Sequence, residues 1–247
     1  MTRHVTRMQI EDAEHYTPEQ RQAIIDSYPE HEKEARIKGI PSLGSGRVFT
    51  VAEEKIKCDP FPIPSHWPQM NGLDFGWDHP FAATRNAWDR DDDVWYVIAT
   101  YREKESTPII HAAAIKPWGQ WIPCAWPHDG LQHDKGSGKQ LSALYRDQGL
   151  TMLDEHATHE LGGTGVEAGV TEMHDRMKTG RFKVFSNLED WLGEYRLYHR
   201  ELGIIVKERD DLISSTRYAI MMKRFALTAP KVRALPDHSG MPGAWLG

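Results

Sequence analysis

The sequence predicts an α/β fold, with a central mixed sheet of five or more strands flanked by helices. Three observations carry this. A short apolar strand ends on an acid at Asp74, inside the run Asn71-Gly72-Leu73-Asp74-Phe75-Gly76-Trp77-Asp78-His79-Pro80. Two segments of alternating apolar residues follow, 81–88 and 94–101, joined by the turn-like Asp89-Arg90-Asp91-Asp92-Asp93, which reads as a three-strand meander. A helix and a fourth short strand come next, ending in Pro127-His128-Asp129-Gly130.

Taken in order, Thr17-Pro18-Glu19-Gln20 predicts a helix to about Ser27, with Thr17 as N-cap, Pro18 first and Gln20 closing a capping box. A second short helix is expected over 30–38, a loop over 41–46 and a strand over 47–51. Pro60, Pro62, Pro64 and Pro68 form a stiff, extended linker. The expected domain boundary lies there: 1–68 an appendage and linker, 69–229 the main domain, 230–247 an irregular tail. After the meander, 108–116 reads as a crossover helix, 121–126 as a strand and 137–148 as an amphipathic helix with Leu141, Leu144 and Tyr145 on one face. Helices are expected at 166–177, 189–200 and 211–226, a strand at Phe182–Phe185 and a short hairpin strand at 203–206. Three antiparallel strands, a crossover helix and a parallel fourth strand point to a ribonuclease-H-like α/β sandwich.

The 247 residues suffice for one large domain with an appendage, and the net charge of −6 does not by itself announce a nucleic-acid binder. The charge is uneven: residues 176–224 hold eleven Lys/Arg against seven Asp/Glu, and the remainder is acidic. Cys58 and Cys124 stand far apart in no metal-binding spacing, which excludes a disulfide framework or zinc knuckle and favours a reducing compartment. No apolar run approaches the roughly 20 residues of a membrane span, and the N-terminal residues lack an apolar signal region. A soluble, intracellular protein is expected.

Asp74, Asp129 and Asp210-Asp211 are three separated acidic positions in this order of elements. Phosphodiester cleavage needs an activated water and a stabilised leaving oxygen, and two divalent cations roughly 4 Å apart supply both. Mg²⁺ and Mn²⁺ prefer oxygen ligands, so carboxylates from different elements suit them. The competing readings are local: turn acids after strands for Asp74 and Asp129, a helix cap for Asp210 or Asp211. Asp78 is a further candidate ligand or water-orienting group, or only an Asx turn before Pro80; His128 reads as a packing residue. Lys135 and Lys139 lie on a flexible basic loop expected to touch the DNA phosphates; it is no P-loop, since His133 stands where its first glycine belongs and Gln140 follows Lys139. No ATP site is expected. His156, His159 and Glu160 read as a polar loop, and Trp191, Tyr195 and Tyr198 as core. Arg176, Lys178, Arg181 and Lys183 around Gly180 are the expected phosphate contacts; Arg196, Arg200 and Arg217 read equally well as surface ion pairs.

Four blocks, 73–80 (LDFGWDHP), 126–130 (WPHDG), 176–185 (RMKTGRFKVF) and 205–218 (IVKERDDLISSTRY), resemble the nuclease domain of the large terminase subunit of tailed bacteriophages, of the P22-like headful-packaging type. The resemblance covers residues 72–226, and 28–49 looks like the end of that family's ATPase domain and its linker. It implies a ribonuclease-H-like endonuclease that cuts concatemeric double-stranded viral DNA in the host cytoplasm. Carried over by motif, Asp74, Asp129 and Asp211, with Asp210 adjacent, would hold Mg²⁺ or Mn²⁺ in a two-metal site. Ser214 departs from the pattern, because many relatives carry Asp there. The family's Walker motifs are absent, so an excised domain or a truncated prophage protein is expected. The implied partners are double-stranded DNA, portal and the small terminase subunit. The alternatives are a Holliday-junction resolvase relative of the same fold and a non-catalytic remnant that docks to portal or small terminase.

Overall fold

The computed structural model describes residues 9–13, 15–28, 33, 37, 46–134, 136–160 and 165–230. The helix expected over 30–38, the loop over 41–45, Lys135 and the tail beyond 230 lie almost wholly outside these. The first helix, α1 (Pro18–Ser27), starts as its sequence dictates: the Gln20 N–H donates to the Thr17 hydroxyl, and the Thr17 N–H to the Gln20 side chain.

Seven strands form the central sheet. They are β1 (Lys57–Cys58), β2 (Gln69–Asp74), β3 (Phe81–Asp89), β4 (Val94–Glu103), β5 (Pro123–Ala125), β6 (Thr151–Met152) and β7 (Phe182–Phe185), in the spatial order β1-β7-β4-β3-β2-β5-β6. The meander β2-β3-β4 is antiparallel and every other pairing is parallel, so β3 alone runs against the rest. The expected pairing of the first meander strand with the fourth is present, Asn71 beside Cys124 and Gly72 beside Ala125.

Helices cover both faces. A single turn, α2 (Glu53–Ile56), precedes β1. One face carries α3 (Pro108–Ile115) and α4 (Leu141–Asp147), packed over Leu73, Phe81, Ala83, Cys124 and Trp126. The other carries α5 (Val166–Lys178), α6 (Glu189–Leu197) and α7 (Asp211–Met221), packed over Met70, Trp95, Val97, Val184 and Phe185. Alternation along β2 therefore sends Met70, Gly72 and Asp74 toward α7 and Leu73 to the opposite core. Trp191, Tyr195 and Tyr198 are buried in the α7-side core, as their helical spacing predicts.

Several expectations are corrected. Residues 47–51 form no strand, only a bridge from Arg47 to His199. Val48, Phe49, Val51 and Ile56 are nonetheless buried in the main core, and β1 is an edge strand of the main sheet. The packing therefore does not divide at residue 68; the prolines carry the chain from one edge strand to the centre of the same sheet. The helix expected from 137 begins at Leu141, because Asp134 accepts from the Gly136 and Ser137 N–H groups and holds a turn there. The helix expected to 200 ends at Leu197, where the chain enters the hairpin β8 (Arg200–Glu201) and β9 (Ile204–Ile205).

Candidate metal-binding acid cleft

Because β2, β4 and β5 run parallel, their C-terminal ends share one edge of the sheet. Asp74 closes β2. Asp129 lies in the 3₁₀ turn His128–Leu131 just beyond β5. Asp210 is the N-cap of α7 and Asp211 its first residue. All four line one cleft of about 370 Å³, with His79, His128, Lys207, Ser214, Arg217 and Tyr218. Asp78 is exposed on the 75–80 loop and does not line the cleft.

The close approach of β2 to α7 rests on Gly72. A Cβ there would overlap the carbonyl of Ser215, so only glycine lets the helix backbone lie on the strand. The Ser215 hydroxyl donates to the Leu212 carbonyl and reaches Thr84 on β3 at 3.3 Å. Thr216 accepts from the Trp191 indole at 2.9 Å.

Asp210 occupies the N-cap position of α7 without capping it. Asp210 makes no side-chain cap hydrogen bond; its carboxylate instead accepts from the Ser214 hydroxyl at 3.2 Å. The free N–H groups of the first turn are taken by Glu194 of α6, whose Oε2 accepts from Leu212 at 2.8 Å and Ile213 at 3.1 Å. Its Oε1 accepts from Arg102 at 2.8 Å, and the side chain is 2% exposed.

The electrostatics are those of crowded anions. Burial pushes the Asp74 carboxyl well above its ordinary range; Arg217 opposes this, and Asp210, Asp211 and Asp129 add to it. Burial also raises Asp210 against the pull of Ser214 and Arg217. Asp211 is raised by burial and then by Asp210. Arg217 is the cation built into this cluster. It is 3% exposed, its guanidinium lies 4.3 Å from the Tyr218 ring centroid, and its Nε has no hydrogen-bond partner. Its stem passes over Gly169 of α5, where a Cβ would come within 2.5 Å of Cγ. Among the described residues no three His, Cys, Asp or Glu side chains are already drawn to a common metal-ligand point. The donor set still fits a hard divalent cation: it is all oxygen, it comes from three separate elements, and its own charge resists burial.

The basic residues expected at phosphate are elsewhere. Arg176 is 5% exposed and donates to Glu172 and to the Asp93 carbonyl and carboxylate. Arg181 donates to the same Asp93 carboxylate at 2.6 Å. Burial works against the Asp93 charge, but Trp88, Arg176 and Arg181 outweigh it and hold the carboxyl below its ordinary range. Lys183 donates to the Lys55 carbonyl, and Lys178 is exposed at the end of α5. This cluster sits at the N-terminal ends of β4 and β7, where Trp95 pairs with Phe182. β4 is 10 residues long, so at roughly 3.3 Å per residue the two edges lie about 30 Å apart. Lys139, on the loop beyond Asp129, is paired with Asp147 at 2.7 Å. The exposed cations at the acid edge are Lys104, Lys207 and Arg209. Sequence reasoning passed over these and Glu194, and read Arg217 equally as a surface ion pair; only strand order shows which charges share an edge.

An acid-lined cleft at the end of the central strands, on a sheet of this order, defines a ribonuclease-H-like nuclease domain. The terminase RNaseH-like domain family matches residues 71–223, and the N-terminal family of the T4likevirus-type terminase large subunit matches residues 1–56. The chain belongs to the terminase large-subunit family, of the P22-like type. It is 50% identical over 238 residues to the terminase large subunit of Salmonella phage P22, covering 94% of this chain and 48% of that protein. The P22 large terminase nuclease domain superposes with a TM-score of 0.70 at 48% identity, covering 74% of this chain and 95% of that one. The nuclease domain of the phage SPP1 large terminase, solved with bound Mn, shares the fold with a TM-score of 0.53 at 16% identity, covering 70% of this chain and 99% of that one. The chain spans about half the length of the curated relatives it matches.

Proposed function

We propose that this chain is a divalent-metal-dependent endonuclease that cuts double-stranded DNA during viral genome packaging. The observation that carries the reading is the convergence of Asp74, Asp129, Asp210 and Asp211 on one cleft from β2, the turn after β5 and the start of α7. The Mn held by the SPP1 nuclease domain supports the same choice of ion. Asp74, which feels the other three carboxylates, would be the central residue holding the ion, with Asp129 and Asp211 completing the set and Asp210 adjacent. Mg²⁺ or Mn²⁺ bound there would activate the attacking water and neutralise charge on the leaving oxygen.

The chain's own residues do the rest. Arg217 holds positive charge against the carboxylates, and Ser214, in place of a further acid, donates a hydrogen bond that orients Asp210. Lys104, Lys207 and Arg209 face solvent at the acid edge and take the DNA backbone there. Such contacts are sequence-independent, which suits an enzyme that cuts wherever packaging stops. Portal and the small terminase subunit are the proposed partners, the host cytoplasm the place of action.

The test is cleavage of supercoiled plasmid in EDTA, Mg²⁺ and Mn²⁺ by wild type, Asp74→Ala and Asp211→Ala. Metal-dependent cutting lost in both variants supports the reading. Cutting in EDTA, or undiminished cutting by Asp74→Ala, rejects it.

A further inference from the structure

Helix α7 has an unusual start. Its N-cap residue is Asp210, one of the residue types best suited to accept from the N–H groups two and three positions on. The carboxylate does not do so. Those N–H groups donate instead to Glu194, which reaches across from α6 and is fixed from its other side by Arg102 of β4. Asp210 is left to face the acid cleft, accepting from the Ser214 hydroxyl and feeling Arg217 and Lys207.

From this exchange of partners we infer that Glu194 is a positioning residue of the metal site: it caps α7 in place of Asp210 and so keeps the Asp210 carboxylate available to a cation. The inference rests on the metal-dependent reading above. A buried carboxylate is costly unless it is bonded; Glu194 takes three donors from two elements, although burial, with Asp211 nearby, still pushes its carboxyl up to about 8. A helix start left without it would have unpaired N–H groups beside a free aspartate. Asp210, whose backbone at φ −123° and ψ 15° now lies outside the extended conformation of a capping residue, could then relax toward that conformation and turn its carboxylate onto them, out of the cleft. Glu194 does not line the acid cleft; its effect passes through Asp210.

This predicts a coupling that general loss of packing would not produce. Mn²⁺ affinity is measured by calorimetry on the full 247-residue chain for wild type, Glu194→Ala, Asp210→Ala and the double variant. Glu194→Ala is expected to bind about tenfold more weakly, the scale typical of losing a group that orients a metal ligand. The double variant is expected to bind no more weakly than Asp210→Ala alone, because the group through which Glu194 acts is gone. Glu194→Gln keeps the volume and one acceptor oxygen; it serves should the alanine variant not fold, and its loss should be intermediate. Multiplying losses in the double variant would overturn the inference, as would wild-type affinity in both Glu194 variants. Failure of the wild type to bind Mn²⁺ would overturn the metal reading, and this inference with it.

Discussion

The backbone of Gly72 on β2 lies against the Ser215 carbonyl of α7, with no room between them for a Cβ. Gly72 precedes Asp74 by two residues and Ser215 follows Asp211 by four, so this one contact sets the spacing of the acids on strand and helix. Gly72→Ala must push α7 off the sheet. We expect a loss of about 2–3 kcal/mol in stability, read by denaturant melts, with Mn²⁺-dependent cleavage falling at least as far as the protein's folded fraction.

Arg217 supplies a guanidinium whose charge is felt by both Asp74 and Asp210. Arg217→Met keeps the stem over Gly169 and removes the charge. The metal-free variant should lose about 3 kcal/mol, the scale for leaving buried charges uncompensated. A cation that binds only the folded state returns stability by mass action. Mn²⁺ should therefore raise the melting temperature of Arg217→Met by more than that of wild type. Equal shifts would show that Arg217 and the ion do not share a charge role.

The cluster of Arg176, Arg181 and Asp93 locks the β3–β4 turn at the edge remote from the acids. Arg181→Ala should leave Mn²⁺-dependent plasmid cleavage within about twofold of wild type, since a partly exposed ion pair contributes little. A loss of tenfold or more would bring the DNA path to that edge.

His111 lies in an aromatic stack on the other face of the sheet. Its ring is 4.0 Å from that of Phe81, and its Nδ1 is 2.8 Å from the Tyr145 hydroxyl. Burial lowers its pKa from 6.5 to about 4. The unfolded chain then takes up a proton that the folded chain refuses. Stability from the neutral ring is fully present above pH 6.5 and is lost as the pH falls toward about 4. Thermal melts across that window should show wild type losing stability faster than His111→Phe, even though the variant starts lower by leaving Tyr145 without its partner.

Much of this was legible in the sequence. The meander, β7 and the acids at 74, 129 and 210–211 follow from alternation, turn residues and element order, because each is a local signal several residues long. β1 and α2 were not, being two and four residues long and held by packing rather than by pattern. Charge roles were the least legible. The turn at Gly180 is basic in sequence yet satisfied by Asp93, which is distant in the chain. Arg217 looks like a surface residue on α7 and is buried because Gly169 of α5 leaves it space. Arg196 and Arg200, by contrast, do make ion pairs, with Glu53 and Glu167, the first of them half-buried and the second exposed.

The most direct test of the acid cleft as a metal centre is anomalous diffraction from crystals grown with Mn²⁺. The account predicts an anomalous peak within ligand distance of Asp74 and of at least one of Asp129, Asp210 and Asp211, absent from Asp74→Asn crystals. Ordered Mn²⁺ found only away from these four carboxylates would contradict it.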